Sequence, residues 1–230
     1  MSIFSGSGPI FKDALPPVIP VARPGYPFIA GGIIASLFFA LMGLAWLTGL
    51  GFALTLFVIW FFRDPERFTP DAADAVISPA DGKVIYAGNW KDTPFEKGDF
   101  VKISIFMSVF NVHVNRVPCD GNVVDVMYHP GRFFSANLDK ASEENERNAI
   151  KLETSGGDVI CFVQIAGLIA RRIISELVPG NNVVRGERFG MIRFGSRVDV
   201  YLPHNVKPSV SVGDKVSAGV SVLGYFNRSE

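Results

Sequence analysis

The pattern of apolar and polar positions divides the chain into a long uncharged block followed by short alternating segments. No charged residue occurs from Pro24 to Phe62, and positions 28 to 62 are almost wholly apolar. One helix over those positions would be roughly 50 Å long, because an α-helix rises about 1.5 Å per residue, whereas the hydrocarbon core of a bilayer is about 30 Å thick. The block therefore predicts two helical segments rather than one straight span.

The two segments are expected to form a hairpin. The stretch Thr48-Gly49-Leu50-Gly51 is the expected interruption, with segments of about 28 to 47 and 52 to 62 on either side, and arginines flank the block at Arg23 and Arg63. Because positive charge is retained on the cytoplasmic side, this predicts a hairpin that enters the cytoplasmic (inner) membrane from the cytoplasm, with the rest of the chain facing the cytoplasm. The alternative is a buried helix pair, but two uncharged segments would leave no polar face for water.

Beyond the block, the sequence is typical of strands and turns. Short segments rich in β-branched residues are separated by Gly, Pro, Asp and Asn, at positions 76–77, 83–86, 101–105, 122–126 and 159–163. Residues 210–224 predict two or three strands joined by tight turns at Gly213-Asp214 and Ala218-Gly219, similar to the turn pattern of biotinyl and lipoyl carrier domains. No lysine stands at the hairpin tip in the setting that a swinging arm needs. One solvated helix or charged loop is expected over 138–147.

These patterns predict the fold class and the domain organisation. We expect a mainly β protein, α+β overall, whose globular domain is a flattened β-barrel or sandwich with carrier-like C-terminal hairpins, preceded by the helical membrane hairpin. The expected parts are an N-terminal tail over 1–24, the hydrophobic hairpin over 25–63 and the globular domain over 64–230.

Composition excludes several classes of function. Twenty-two basic residues balance twenty-two acidic ones, so no global field recruits nucleic acid. Cys119 and Cys161 lie in apolar or strand-like settings, which favours buried thiols over a disulfide framework. The three histidines, His113, His129 and His204, form no His-x-x-x-His pair, and no Cys-x-x-Cys pair exists, so no metal site is predicted.

The dipeptide Gly195-Ser196 interrupts a strand pattern. Residues 190–194 lead into it, and residues 198–202 leave it with the alternation of a half-buried strand. The simpler interpretation is a β-bulge. The chemical one is an acyl shift in which Ser196 Oγ attacks the Gly195 carbonyl, which needs a preceding residue without a Cβ, a strained turn and a nearby base. Elimination and hydrolysis would then leave a pyruvoyl group on residue 196, whose ketone can act as an electron sink.

Three other polar groups accompany this dipeptide. Asp81 lies on a turn before a strand, in Ser78-Pro79-Ala80-Asp81-Gly82, where an Asp-Gly turn that satisfies its own backbone is the simpler explanation. Strand alternation would place Asn111, His113 and Asn115 on one face, where His113 is either a general acid or base or a structural histidine. The loop 128–137 has the aromatic and cationic content of a head-group site or a lid, although such loops are often only connections.

Taken together, these segments resemble the phosphatidylserine decarboxylase family in its short, pyruvoyl-dependent form. The resemblance covers most of the chain from about Arg63 onward. It is carried by several loose motifs in the family order, namely residues 78–82, 113–118, 130–131 with Phe134, Ser135 and Asn137, residues 145–147, and 194–196.

The resemblance implies a mechanism. Gly195-Ser196 would be the self-cleavage point, giving a β chain of residues 1–195 and an α chain of residues 196–230, with Ser196 becoming the covalent pyruvoyl cofactor. Asp81 would belong to the machinery that activates Ser196, and His113 would transfer protons. The implied reaction converts phosphatidylserine to phosphatidylethanolamine and CO₂ through a Schiff base to the pyruvoyl ketone.

The implied partners are phosphatidylserine, the lipid bilayer and the two chains of one precursor, and a homo-oligomer is left open. Asn115 and Phe134 are candidate substrate contacts. A phosphate could be held by Arg132, Arg147 or Arg188, among which the sequence does not choose.

The sequence departs from the family pattern in two places. Arg116 stands where long-form members carry a second histidine. Either His113 serves both self-cleavage and the later proton transfer, or another group, such as Asp81 or a water, is the base for cleavage. Phe194 and Arg197 replace Leu and Thr of the usual Leu-Gly-Ser-Thr, and we expect them to be tolerable because neither side chain is needed for the acyl shift.

Two functions of other classes stay open from sequence. The chain could be an uncleaved, membrane-tethered β-barrel adaptor, which would run as one intact band on a denaturing gel. It could also be a membrane-anchored peptidase, whose activity chelators would remove.

Overall fold

The computed structural model describes residues 20–72, 74–132, 134, 136, 144–168, 172–193 and 195–227. These form two compact units, which divide between Glu66 and Arg67. The first unit is the apolar block and the second is the β-rich remainder. Of the tail predicted over 1–24, residues 1–19 lie outside the described part of the chain.

The apolar unit is a pair of helices. A 3-10 turn over Arg23–Gly25 leads into α1, Tyr26–Leu41, and α2 spans Ala45–Phe61. The ends of the pair are tied together, since the Ala22 amide donates to the Phe62 carbonyl at 2.7 Å and the Asp64 amide donates to the Pro20 carbonyl at 2.7 Å. The unit therefore begins and ends at the same point, as a hairpin requires.

The predicted position of the turn between the helices is wrong. The turn lies at Gly43, whose φ is +71°, and not at Thr48–Gly51, which lie inside α2. The Leu44 amide donates to the Phe39 carbonyl and the Gly43 amide to the Ala40 carbonyl, which is the Schellman pattern that ends a helix. Gly51 instead lies against α1, because a Cβ built on it would come 2.7 Å from Ser36 Oγ. It thus allows close helix packing rather than a turn.

The helices carry many exposed apolar side chains, among them Leu41 at 84% and Trp46 at 70% exposure. Within the described residues, the helical stretch Arg23–Leu41 is the one that is long and apolar enough to cross a membrane, and α2 is shorter. This gives weak support to membrane association, by length and composition. The membrane and the orientation remain predictions.

The second unit contains fourteen strands within the described residues. In chain order they are β1 Ala75–Ile77, β2 Gly82–Lys91, β3 Asp99–Met107, β4 Val114–Arg116, β5 Gly121–His129, β6 Arg147–Thr154, β7 Val159–Ala166, β8 Ile173–Ser175, β9 Asn182–Val183, β10 Arg188–Ile192, β11 Ser196–Pro203, β12 Lys207–Pro208, β13 Lys215–Val216 and β14 Val222–Tyr225. The five strands predicted between 76 and 163 are all present. The mainly β fold class with preceding apolar helices is confirmed.

One curled sheet of eight strands dominates, in the order β13-β2-β3-β11-β7-β6-β5-β9. Two three-stranded sheets, β1-β14-β12 and β4-β10-β8, complete the unit. Alternate residues of the central strands, such as Ile105, Phe162 and Val200, form the main core on one face of the large sheet. A smaller cluster that includes Cys161 and Tyr201 lies on the opposite face. We call these the inner and the outer face.

The C-terminal segment is woven into the rest of this unit. The tight turns are present, with φ of +106° at Gly213 and +76° at Gly219. Strands β13 and β14 do not pair with each other: β13 pairs with β2, and β14 pairs with β1 and β12. Strand β11 lies between β3 and β7. A chain break before Ser196 would therefore leave residues 196–227 hydrogen-bonded to strands that precede it.

Candidate active site

Ser196 is the first residue of β11, in the middle of the large sheet. It lies opposite Met107 of β3 and Ala166 of β7. Its side chain is fully buried on the inner face, with Oγ 3.4 Å from Met107 Sδ. Gly195 precedes the strand with φ of +68°, in the left-handed region that disfavours residues with a Cβ. The sequence prediction of a glycine-dependent turn before a strand is thus realised at this dipeptide.

The carbonyl group of Gly195 is packed against the backbone of Gly167. A Cβ built on Gly167 would collide with the Gly195 carbonyl oxygen and would lie 3.0 Å from its carbon. Any side chain at position 167 would therefore displace the carbonyl that Ser196 Oγ would attack. Sequence reasoning missed this residue, although a glycine that directly follows an apolar strand was an available signal.

A chain of buried amides extends from Ser196 across the inner face. Asn115 Nδ2 lies 3.8 Å from Met107 Sδ and 3.4 Å from the Pro79 carbonyl. Gln164 Nε2 donates to Asn115 Oδ1 at 2.9 Å, and Asn148 Nδ2 donates to Gln164 Oε1 at 3.2 Å. Gln164 and Asn148 were not predicted, but both are polar residues at inward positions of apolar strands, which is an unusual placement.

His113 is fully buried next to the segment that leads to the Gly195-Ser196 bond. Its carbonyl accepts a hydrogen bond from the Ile192 amide at 3.4 Å, and the following strand, β4, pairs with β10. The predicted stripe of Asn111, His113 and Asn115 is only partly realised, because β4 begins at Val114. Asn111 instead closes a turn, where its Oδ1 accepts from the amide and the hydroxyl of Ser108 at 2.9 and 2.8 Å.

Arg116 is the last residue of β4 and directly follows Asn115. It is 5% exposed, and its Nη1 donates to the Gly186 carbonyl at 2.9 Å. The arginine that replaces the second histidine of the long forms thus has an anchored, buried place in this fold.

Asp81 lies at the same end of the large sheet, two strands away from β11. Its Oδ2 pairs with Arg67 at 3.0 Å, and its Oδ1 accepts from the Ala218 amide at 2.7 Å. The same turn holds the C-terminal segment through two backbone bonds, from the Ser78 amide to the Ser221 carbonyl and from the Gly219 amide to the Ser78 carbonyl. Asp81 therefore fixes residues that belong to the C-terminal segment.

On the outer face, the residue that follows Ser196 is part of a buried charge cluster. Arg197 is 2% exposed and Asp199 is 0% exposed. Arg197 Nη2 donates to Asp199 Oδ2 at 3.1 Å, and Lys102 Nζ lies 3.3 Å from the same oxygen. Burial, and after it the charge of Asp199, raises the pKa of neighbouring Tyr201. Arg197 is thus held by specific contacts, which the expectation that it is a tolerable replacement for Thr did not foresee.

The predicted phosphate ligands are not gathered around Ser196. Arg132 is exposed and lies 3.7 Å from Glu144. Arg147 shares the outer face of β6 with Ala149, whereas Ser196 lies on the inner face. Arg188 lies opposite Arg116 at the start of β10.

Another arginine lies closer in the chain to the dipeptide. Arg193 is half-buried, and its amide donates to the Arg172 carbonyl at 3.5 Å. Burial, together with the positive charge of Arg172, lowers the pKa of Arg193. This pair could not be predicted from sequence, because the two residues meet only through the pairing of β8 and β10.

Phe134 is held by the side chain of Asn145. Its amide donates to Asn145 Oδ1 at 2.9 Å, and Asn145 Nδ2 donates to its carbonyl at 2.8 Å. Asn145 also donates to the Ala166 carbonyl at 2.7 Å, next to Gly167. The loop is thus joined to the edge of the site through Asn145. Phe133, Ser135, Asn137, Phe194 and positions 138–143 of the helix or charged loop predicted over 138–147 lie outside the described residues, and Arg147 at its end begins β6.

Cys119 and Cys161 are free and buried, and burial raises the pKa of both thiols. Within the part of the chain that the structure describes, no group of three or more His, Cys, Asp or Glu side chains could hold a metal ion. The absence of a metal site remains a prediction that chelators can test.

Comparison with known proteins gives one consistent family. A sequence model described as phosphatidylserine decarboxylase matches residues 54–224. The chain is 53% identical over 207 residues to a phosphatidylserine decarboxylase proenzyme of Syntrophus aciditrophicus, covering 90% of this chain and 97% of the relative. It is 51% identical over 208 residues to the proenzyme of Ralstonia nicotianae, with 90% and 96% covered. It is also 51% identical over 212 residues to that of Desulfotalea psychrophila, with 92% and 99% covered.

Proposed function

This chain belongs to the phosphatidylserine decarboxylase family, and from that premise we propose that it cleaves itself between Gly195 and Ser196 and then decarboxylates phosphatidylserine to phosphatidylethanolamine. Family membership makes it a pyruvoyl-dependent lyase that is made as a proenzyme. The bond that is cut, the residues that act and the product are the proposal.

The observation that carries the proposal is the geometry of one dipeptide. A buried serine hydroxyl follows a glycine with φ of +68°, and the glycine carbonyl has no room to move toward Gly167. Glycine adopts this φ without strain, so the chain can turn here directly before the buried serine, and a fold that holds the reacting groups in place favours an acyl shift. A simple β-bulge would explain the glycine but not the buried hydroxyl beside it.

The chemistry of self-cleavage follows from these atoms. Ser196 Oγ forms a bond to the Gly195 carbonyl carbon while the bond from that carbon to the Ser196 nitrogen breaks, which gives an ester and a free amine. Loss of the Ser196 α-proton then expels the Gly195 carboxylate and leaves dehydroalanine. Addition of water and departure of ammonia convert it to a pyruvoyl group at the new N-terminus.

We assign the hydroxyl proton to His113 as the general base. It is buried next to Ile192, whereas both carboxylate oxygens of Asp81 already have partners in Arg67 and Ala218. We assign Asp81 to positioning, because it fixes the C-terminal segment that would become the α chain. Histidine is the side chain that most often transfers protons in enzymes.

The residues around Ser196 fit a small ketone. Ser196 is buried beside Met107 Sδ, and the linked amides of Asn115 and Gln164 follow on the same face, so the described surroundings are weakly polar. When formed, the pyruvoyl group supplies a carbonyl that condenses with an amine and accepts the electrons released as CO₂ leaves. The chain's own part is to bury the group, to exclude water and, through His113, to return a proton to the product.

A negatively charged head group needs cations near this site. Arg193, close to Arg172 and three residues before Ser196, is supported by its position as a further candidate beside Arg132, Arg147 and Arg188. The helix pair would keep the catalyst at the bilayer surface, which avoids an extraction cost of about 0.8 kcal/mol for each CH₂ group taken out of the lipid.

Comparison with an uncleavable variant tests the proposal. The purified wild-type chain should run as two fragments on a denaturing gel, and the mass of the small fragment should show a ketone in place of an amine at residue 196. Ser196→Ala should remain one full-length chain without activity. Active wild-type protein with an intact bond, insensitive to carbonyl-trapping reagents, would overturn the proposal, and activity lost to chelators would indicate a metallopeptidase instead.

A further inference from the structure

We infer that Arg197, clamped by Asp199 and by the Ala136 carbonyl, is a positioning residue that holds the new chain end in register after self-cleavage. The inference rests on the proposed cleavage before Ser196. It assigns a role to the buried charge cluster on the outer face, which the proposed chemistry does not otherwise use. We call Arg197, Asp199 and Lys102 the outer-face clamp.

The guanidinium of Arg197 contacts two other residues, Asp199 and Ala136. Its Nη2 donates to Asp199 Oδ2 at 3.1 Å, and its Nε lies 2.9 Å from Asp199 Oδ1, so the guanidinium faces the carboxylate with two atoms. Its Nη1 donates to the Ala136 carbonyl at 3.2 Å. With 2% exposure, these contacts are shielded from water and from salt.

The clamp joins the two chains that cleavage would create. Arg197 and Asp199 would belong to the α chain, whereas Lys102 and Ala136 would belong to the β chain. Lys102 is held in turn, with Nζ 3.3 Å from Asp199 Oδ2 and 3.7 Å from the centre of the Trp90 ring. Every contact of the clamp therefore survives the loss of the bond between residues 195 and 196.

Loss of that bond removes the covalent restraint on residue 196. What remains is the pairing of β11 with β3 and β7, and strand ends fray when nothing beyond the backbone fixes them. Because Arg197 is the next residue, and its side chain points to the opposite face, a fixed Arg197 also fixes the direction in which residue 196 points. A catalytic group that is misplaced by about 1 Å can lose a large factor in rate.

Arginine suits this role better than lysine. The planar guanidinium can contact the carboxylate of Asp199 and the carbonyl of Ala136 at the same time, and it does so in one fixed orientation. The position therefore carries a requirement that a Thr side chain would not meet in this chain and that a Lys side chain would meet only in part.

Arg197→Gln and Arg197→Lys test the inference, with Arg185→Gln as the matched control. Arg185 is also partly buried and donates to the Ala72 carbonyl, and its amide donates to Asp120 Oδ1 at 2.7 Å, so all these partners precede residue 196. We expect Arg197→Gln to self-cleave but to lose about tenfold or more in kcat for each trapped carbonyl group, with little change in KM. Arg197→Lys should recover part of the loss, and Arg185→Gln should keep the wild-type kcat per carbonyl.

Hydrogen exchange of β11 amides separates positioning from general destabilisation. In cleaved protein, Arg197→Gln should speed exchange at residues 197–200, whereas in the uncleavable Ser196→Ala background the same substitution should change it much less. Equal acceleration in both backgrounds, or an unchanged kcat per carbonyl in the cleaved variant, would overturn the inference. If Arg197→Gln does not fold, the kcat per carbonyl and the β11 amide exchange of Arg197→Lys provide the same test. Wild-type protein that is never cleaved would instead refute the proposed function.

Discussion

Single residues decide whether the bond before Ser196 can react. The Gly195 carbonyl lies against Gly167, where no Cβ can be accommodated, and the left-handed φ of Gly195 excludes most other residues from that position. Two glycines, one directly before β11 and one directly after β7, thus set the geometry of one carbonyl group. The second could not be found from sequence, because its meaning depends on how β7 and β11 are placed side by side.

Gly167→Ala should therefore slow self-cleavage. The added methyl group must push the Gly195 carbonyl away from its position, and misplacing a reacting group in this way costs roughly 10- to 100-fold in rate. The accumulation of the small fragment after synthesis in a cell-free system measures the rate directly. Gly88→Ala is the matched control, because a Cβ there would lie 3.6 Å from Tyr86 Oη, in ordinary contact. Equal cleavage rates in Gly167→Ala and wild type would remove Gly167 from the mechanism.

Two buried thiols give the chain a predicted sensitivity to alkali. Burial raises the pKa of Cys119 and Cys161 from an ordinary value of 9.0, so both stay neutral in the folded state when the unfolded chain has begun to ionise. Their contribution to stability is complete below pH 9 and is lost as the pH rises above it. The loss is about 1.4 kcal/mol per pH unit for each thiol.

Denaturant unfolding of the Ser196→Ala precursor between pH 8 and 11 measures this loss. The free energy of unfolding should fall as the pH rises above 9, and replacing both cysteines by alanine should remove much of the slope. Tyr201, whose pKa burial also raises, adds a further decline at higher pH in both proteins. If the free energy of unfolding of the precursor that retains both cysteines stays constant up to pH 10, the prediction is wrong.

At the scale of helices and strands, the local sequence pattern predicts some elements, whereas others depend on tertiary contacts. The strands near 76, 83, 101, 122 and 159 were predictable because alternation of apolar residues is a local property. The start of β4 was not, since the side chain of Asn111 forms a turn with Ser108 before the strand begins at Val114. The helix turn was misplaced because Gly51 has its role in packing against Ser36, which only the partner helix reveals.

The same limit applied to the site. Ser196 could be named from sequence because Gly195-Ser196 interrupts a strand pattern, and His113 and Asn115 because polar residues in apolar strands are unusual. Gln164 follows the same rule, yet its role depends on Asn115, which is 49 residues earlier in the chain and lies 2.9 Å away through a hydrogen bond. The sequence prediction for Arg197 considered only the acyl shift, which does not need this side chain. The structure adds the ion pair between Arg197 and the buried Asp199.

The two glycines near the helix turn should respond in opposite ways to alanine. Gly43 has φ of +71°, so Gly43→Ala should destabilise the hairpin by about 1 kcal/mol. Gly49 lies in the interior of α2, where a Cβ would meet nothing within 4 Å, so Gly49→Ala should stabilise the helix by up to about 1 kcal/mol. Thermal loss of helical circular dichroism in detergent measures both. A turn at Thr48–Gly51 would give the reverse order.

At the scale of the whole molecule, the division into two compact units separates chemistry from attachment. The residues that we assign to self-cleavage, from Asp81 to Ser196, all lie in the unit that begins at Arg67. The apolar helices form a unit with its own internal contacts. Removing the helices should therefore affect access to lipid and leave the chemistry of the β-rich unit in place.

A chain that starts at residue 64, the predicted boundary of the catalytic domain, tests this separation. It should fold, self-cleave at the wild-type rate and decarboxylate a short-chain, water-soluble phosphatidylserine with a kcat within about twofold of the full chain, because no catalytic contact is lost. On phosphatidylserine in vesicles it should be slower by at least about tenfold, since the lipid must now be extracted. Parallel assays of both proteins on both substrates measure the effect. Equal loss on the two substrates would mean that the helices support the fold or the site rather than the encounter with the bilayer.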